Sequence, residues 1–141
     1  MFEPLFRGKR RDNNAWIVGD PFHKDDDVLI HDFKQGFSAK VIPETVGLFT
    51  GKTDINGIRL FCGDIIRGKL RMFDDKEYYG VIVWRNEISA FGINMLPESP
   101  AFHTSTLNCL VGIDFEIVGN VFDTPELLEG GVNENDKAGK V

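Results

Sequence analysis

Cysteine is scarce in this 141-residue sequence, and its spacing argues against two classes of protein. Cys62 and Cys109 are the only cysteines, and no Cys-x-x-Cys pair occurs. Small secreted domains rely on several disulfides, whereas zinc sites and thiol oxidoreductases use closely spaced pairs. We therefore expect two reduced thiols, and we interpret both as buried and unreactive because their sequence neighbours are apolar.

A long apolar run is also missing. No segment has the roughly 18 consecutive apolar residues of a membrane-spanning helix. The start, Met1-Phe2-Glu3-Pro4-Leu5-Phe6, lacks the charged first region and the apolar core of a secretory signal. We therefore expect a cytoplasmic protein without membrane association.

Motifs of catalysis are absent too. Gly47–Gly51 has neither the spacing nor the following helix of a phosphate-binding loop, and no dinucleotide-binding fingerprint occurs. Asp54 and Asp64 flank a short apolar run and could form an acid/base pair, but aspartate beside glycine more often caps a turn. We predict that the protein is not an enzyme and has no cofactor, and we identify no small-molecule substrate.

One polar segment contains potential metal ligands. These are His23, the Asp25-Asp26-Asp27 run, His31 and Asp32. Their spacing matches neither a zinc-binding pattern nor a calcium loop, and acidic runs are usually hydrated surface. We therefore interpret the segment as a polar loop and predict no metal site.

The residues that are present indicate a mainly β protein with very little helix. Short apolar runs alternate with Gly, Asn and Asp, and sustained helical periodicity is absent. Asn56-Gly57 predicts a tight turn, one or two helical turns are expected at 123–128, and a single turn could form at 43–47. The predicted strands are Ile65–Met72, Tyr78–Trp84, Ile88–Ile93 and Phe115–Phe122, and the second of these is apolar on both faces, as a central strand would be.

The formal net charge of -6 conceals a basic region. Alternation along the predicted strand Ile65–Met72 places Arg67, Lys69 and Arg71 on one face, and Arg59 lies on the preceding strand. Such a surface on a small barrel could bind nucleic acid. The alternative is a charged edge strand, or ion pairs with the Asp74-Asp75-Glu77 cluster that follows. A second basic run, Arg7, Lys9, Arg10 and Arg11, is interpreted as a solvated turn.

Several motifs in a fixed order resemble the YopX family. They are Phe6-Arg7-Gly8-Lys9-Arg10 with Trp16 and Gly19, Pro43-Glu44-Thr45-Val46-Gly47 with Phe49-Thr50-Gly51, Asp54-x-Asn56-Gly57, Phe61-x-Gly63-Asp64-Ile65-Ile66, Gly80-Val81-Ile82-Val83, and Ile117-x-Gly119-Asn120-Val121-Phe122 with Pro125-Glu126-Leu127-Leu128. The resemblance implies a phage or prophage origin, a bacterial host cytoplasm and an SH3-like barrel in the C-terminal part. Phe61-Cys62 departs locally from the family pattern, and the family implies no catalytic residues.

These observations together predict three segments and a binding function. We expect a small β-containing appendage at 1–45, an SH3-like barrel at 46–128 and a flexible tail at 129–141. The expected function is that of a binding module that contacts a host or phage protein, or a second copy of itself as a homo-oligomer. The alternative is a nucleic-acid-binding accessory protein of phage replication or regulation that uses Arg59, Arg67, Lys69 and Arg71.

Overall fold

The computed structural model describes residues 4–69, 77–96, 106–107 and 114–128. These residues are mainly β, with short 3₁₀ helices at Pro43–Thr45 and Pro125–Leu128, and the predicted fold class is therefore confirmed. The strands are β1 (Phe6–Lys9), β2 (Trp16–Lys24), β3 (Asp27–Asp32), β4 (Phe37–Val41), β5 (Gly47–Thr53), β6 (Arg59–Phe61), β7 (Asp64–Lys69), β8 (Glu77–Arg85), β9 (Ala90–Leu96) and β10 (Phe115–Asn120).

The chain forms two compact units, Met1–Lys52 and Thr53–Val141. The predicted segments 1–45 and 46–128 stay predictions, and the predicted tail 129–141 lies outside the described residues. Among the residues that are described, no helix is long and apolar enough to cross a membrane.

The first unit is an antiparallel sheet that curls back on itself. Its strands follow the order β4-β3-β2-β1-β5. Beyond β1, Arg10 forms a β-bridge with Val41 of β4, and the Arg11 N–H donates to the Lys40 carbonyl at 2.9 Å. The end of β1 therefore returns to the outer edge of β4, and the sheet encloses a core of Ile17, Ile30 and Val41.

A glycine in β1 makes this close approach possible. A Cβ atom at Gly8 would lie 3.0 Å from Ile30 Cδ1 and 3.2 Å from Val41 Cβ. These separations are shorter than ordinary contacts between side chains in a close-packed core. Glycine therefore lets β1 pack directly against the buried residues of β3 and β4.

The second unit contains a four-stranded antiparallel sheet of order β10-β7-β8-β9. The strand predicted at Tyr78–Trp84 is β8, which lies inside the sheet and forms a hairpin with β9. The register of β10 shifts between Ile117 and Gly119. One face of the sheet packs on the core, which consists of Leu60, Ile66, Ile82, Ile93, Met95, Leu107 and Phe115.

The details of this unit agree with the sequence to different degrees. β7 (Asp64–Lys69) begins one residue before the predicted strand Ile65–Met72, and 70–72 lie outside the described residues. The expected turn at Asn56-Gly57 is confirmed, and Gly57 has a φ of 79°. Four antiparallel strands do not establish the SH3-like barrel expected for 46–128, which stays a prediction.

Candidate functional site

The four predicted macromolecule-binding residues lie in different settings. Arg59 is exposed on β6, and Arg67 is partly exposed in the middle of β7. Lys69 is the last residue of β7, and Arg71 lies outside the described residues. The structure therefore describes the side chains of two of the four residues.

Arg67 belongs to an ion network across three strands. Its Nη2 donates to Glu116 Oε1 on β10 at 2.6 Å, and its Nε lies 3.9 Å from Glu77 Oε2 on β8. A hydrogen bond with Tyr79 raises the pKa of Arg67 above its usual value; burial opposes this shift, and Glu116 adds to it. The ion pair expected with the acidic segment is present at Glu77, whereas Asp74 and Asp75 lie outside the described residues.

Asp54 is a buried carboxylate that holds a turn against a distant strand. Asp54 as a whole is only 6% exposed to solvent. Oδ1 accepts hydrogen bonds from the Asn56 and Ile58 N–H groups, both at 2.9 Å, and Oδ2 accepts one from Ile117 on β10 at 3.0 Å. Burial raises the pKa of this carboxyl, but the three N–H donors together outweigh it, so that the net pKa is lowered.

Asp64 caps a second turn. Its Oδ2 accepts a hydrogen bond from the Phe61 N–H at 2.8 Å, and the residue is 2% exposed. The predicted role of both aspartates as turn caps is confirmed. Cys62, in the same turn, is half-buried with Sγ 3.8 Å from the Ile82 carbonyl oxygen, and Cys109 lies outside the described residues.

Three of the residues considered as metal ligands, Asp27, His31 and Asp32, form other contacts. Asp27 pairs with Arg11 and Lys40, and His31 Nδ1 lies 2.8 Å from Ser38 Oγ. Asp32 Oδ1 accepts from the backbone N–H groups of the turn that follows it. In the described part of the chain, no group of three or more His, Cys, Asp or Glu residues is placed to hold a metal ion.

Both outer strands of the four-stranded sheet carry a polar cap. On β10, the outward N–H of Ile117 donates a hydrogen bond to the Asp54 carboxylate, and the outward carbonyl of Phe115 accepts one from the Ile55 N–H at 2.9 Å. On β9, the Arg85 guanidinium donates to the outward carbonyl of Ile93 at 3.2 Å. A carboxylate thus satisfies a donor on one edge and a guanidinium satisfies an acceptor on the other, while Gly92 of β9 also forms a β-bridge with Thr106. These contacts hinder pairing of the two edges with another chain.

The edge of β4 in the first unit is different. Because the Lys40 carbonyl accepts from Arg11, the backbone groups of Lys40 point away from β3. Along an antiparallel strand, the backbone N–H and carbonyl groups of successive residues point alternately towards one neighbouring strand and away from it. The N–H and carbonyl of Ser38, two residues before Lys40, therefore also point away from β3. Among the described residues, no backbone hydrogen bond outside the β3–β4 ladder reaches Ser38.

A groove runs beside this edge. Its volume is about 460 Å³, and it is open to solvent. Phe33, 70% exposed, packs edge-on against His31 at a ring distance of 4.4 Å, and His31 contacts the Ser38 hydroxyl. An exposed aromatic ring therefore lies close to the open edge. The groove is lined by Arg10, Arg11, Asp12, Ser38, Ala39 and Lys40.

Ion pairs along the groove leave it with a positive charge. Arg10 forms a two-point pair with Asp12, at 2.7 and 3.0 Å. Arg11 and Lys40 share the single carboxylate of Asp27, at 2.8 and 3.0 Å. Of the five charged groups, three are cations and two are anions.

Sequence reasoning did not find this groove. The sequence predicts a solvated turn for the basic run that ends at Arg11 and no strand at Phe37–Val41, whereas Phe6–Lys9 forms β1 and Phe37–Val41 forms β4. The signal was the alternation of Phe37, Ala39 and Val41 with Ser38 and Lys40, which is typical of a half-buried strand and was overlooked.

Comparison with known proteins identifies the family. The model of the YopX family, described as YopX protein, matches residues 5–129. The chain therefore belongs to the YopX family, as its motifs indicated. No curated protein matches the chain.

Proposed function

We propose that this member of the YopX family is a non-enzymatic binding module that contacts another protein through the open edge of β4. The observation that carries the proposal is the outward-facing backbone of Ser38 beside a solvent-open groove. Strand addition to a free sheet edge is a common way to bind an extended polypeptide, because main-chain hydrogen bonds supply affinity.

The exposed ring of Phe33 supports a protein partner. Aromatic residues are enriched at protein interfaces, where they supply large contact areas. The partner is a host or phage protein, or a second copy of this chain. The family resemblance supports a phage or prophage origin and a place in the bacterial cytoplasm.

Nucleic-acid binding by Arg59, Arg67, Lys69 and Arg71 remains the alternative proposal, but the surroundings of Arg67 favour it less. Glu116 and Glu77 lie on the two strands beside Arg67 and offset its charge. A phosphate would have to compete with a carboxylate already 2.6 Å from the guanidinium.

Replacement of Ser38 by proline tests the proposed function. Proline is tolerated at a sheet edge where the N–H faces solvent, but it removes the donor that an added strand needs. Ser38→Ala is the matched control, because it keeps the N–H and removes only the hydroxyl.

We expect nuclease-treated host lysate to yield a partner with the wild-type protein and with Ser38→Ala, but not with Ser38→Pro. Circular dichroism and thermal melting establish that each variant is folded. Equal capture by the proline and alanine variants, or capture abolished by nuclease, would refute the proposed function. Light scattering of the purified protein would show whether the partner is a second copy.

A further inference from the structure

We infer that the occupant of the groove is an extended acidic segment of the partner, which adds along β4 and places a carboxylate between Arg11 and Lys40. This inference rests on the proposed function. It goes beyond it by specifying the conformation and the charge of the partner.

The backbone of β4 dictates an extended conformation and a short contact. Ser38 offers an N–H and a carbonyl on the outer edge, whereas the next outward carbonyl, that of Lys40, is already bonded to Arg11. The ladder can therefore form around Ser38 but cannot continue past Lys40. Beyond that point the Arg10–Asp12 turn borders the groove, so the incoming chain leaves the edge and contacts side chains.

The side chains at that point favour a negative charge. Arg11 and Lys40 are 53% and 58% exposed, and both contact Asp27. The hydrogen bond from Lys40 lowers the pKa of Asp27, slight burial opposes this effect, and Arg11 lowers it further. Two cations that share one carboxylate leave one positive charge without a partner in the groove. A glutamate or aspartate of the incoming segment supplies the missing anion.

A nucleic-acid strand fits this site less well. It has no alternating N–H and carbonyl groups to match the outward groups of Ser38. One uncompensated positive charge also corresponds to very few phosphate contacts, which would give weak binding and a shallow dependence on salt.

Three short synthetic peptides test the inference on the full-length protein. The first alternates valine and glutamate, the second alternates valine and lysine, and the third is the glutamate peptide with alternate backbone amides methylated. Binding is measured by fluorescence anisotropy. We expect the first peptide to bind, the lysine peptide to bind more weakly, and the methylated peptide to lose affinity because it cannot donate its strand hydrogen bonds.

Variants of the groove locate the charge. Arg11→Ser and Lys40→Ser should each weaken the glutamate peptide by about two- to fivefold, which is the usual strength of an exposed ion pair. Lys34→Ser is the matched control, since Lys34 is an exposed lysine of the same unit that does not line the groove. It should leave affinity unchanged.

The outcomes separate this inference from the proposed function. Equal affinity for the glutamate and lysine peptides would overturn the acidic partner, and full affinity of the methylated peptide would overturn strand addition. If no peptide binds while Ser38→Pro still abolishes capture of a partner, the chemistry assigned to the occupant is wrong and the binding function stands. A single-stranded oligonucleotide that binds wild type and Ser38→Pro equally, and outcompetes the peptide, would also overturn the inference.

Discussion

Replacement of Asp54 by alanine removes one acceptor from three backbone N–H groups at once. Two of these donors, Asn56 and Ile58, belong to the turn, and the third, Ile117, lies 63 residues away on β10. The carboxylate is buried and Ile117 is partly buried, so water cannot fully replace the acceptor at Ile117. The substitution should therefore weaken the turn and the outer edge of the four-stranded sheet together.

The size of the effect follows from these hydrogen bonds. A hydrogen bond to a charged group contributes about 1.5–3 kcal/mol, and a buried donor left without an acceptor costs about 1–3 kcal/mol. The three bonds share one side chain and are not additive, so we expect Asp54→Ala to lower the free energy of unfolding by about 3–5 kcal/mol. Asp54→Asn keeps one oxygen but turns an NH₂ group towards Ile117 or Ile58, and about 1.5–3 kcal/mol should be lost.

Urea denaturation followed by circular dichroism measures both effects. Asp12→Ala is the matched control, because Asp12 is an exposed aspartate whose side chain forms an ion pair with Arg10 at the surface. It should not change stability measurably. If Asp54→Ala were no more destabilising than Asp12→Ala, the argument from buried backbone donors would be wrong. Since native domains are stable by only about 5–15 kcal/mol, the asparagine variant provides a measurement if the alanine variant does not fold.

Three further predictions follow from the same structure. The pKa of Asp54 is lower in the folded chain than its usual 3.8. The stabilisation that ionised Asp54 provides is therefore complete above the unfolded pKa and is lost as pH falls through the folded pKa. The difference in unfolding free energy between wild type and Asp54→Asn should shrink in acid, and a constant difference from pH 7 to 2 would contradict this. Gly8→Ala should lower the free energy of unfolding by about 1–3 kcal/mol in thermal melts, because the added methyl meets Ile30 and Val41, and an unchanged melting temperature would show that the first unit adapts freely. Arg85→Ala should remove the hydrogen bond to the Ile93 carbonyl on the β9 edge and thereby increase self-association, measured by light scattering at high protein concentration. A variant as monodisperse as wild type would show that Arg85 does not protect this edge.

Local patterns predicted the strands and turns that depend on neighbouring residues. The apolar run Tyr78–Trp84 became the interior strand β8, and the Asn-Gly pair became a turn with glycine at positive φ. Both follow from short-range chemistry: a run of apolar β-branched and aromatic residues favours a strand, and glycine adopts the positive φ of a tight turn at no steric cost. The single helical turns around Pro43 and Pro125 were predictable for the same reason.

The partners of charged residues were less predictable. Alternation placed Arg67 on one face of its strand, but it could not show that Glu116, 49 residues later, would lie opposite it on the neighbouring strand. In the same way, Asp54 was predictable as a turn cap but not as the acceptor for Ile117. Contacts between residues far apart in sequence depend on strand order and register, which a single sequence does not reveal.

By itself, the sequence determined a mainly β member of the YopX family with turns at its glycines and aspartates, because these features arise from residues a few positions apart. The tertiary structure decided which sheet edges are capped and which remain open. Asp54 and Arg85 cap β10 and β9, whereas the return of β1 to Lys40 leaves the outward groups of Ser38 available on β4. The physical reason is that an edge is defined by the absence of a neighbouring strand, and only the pairing of all the strands settles where that occurs.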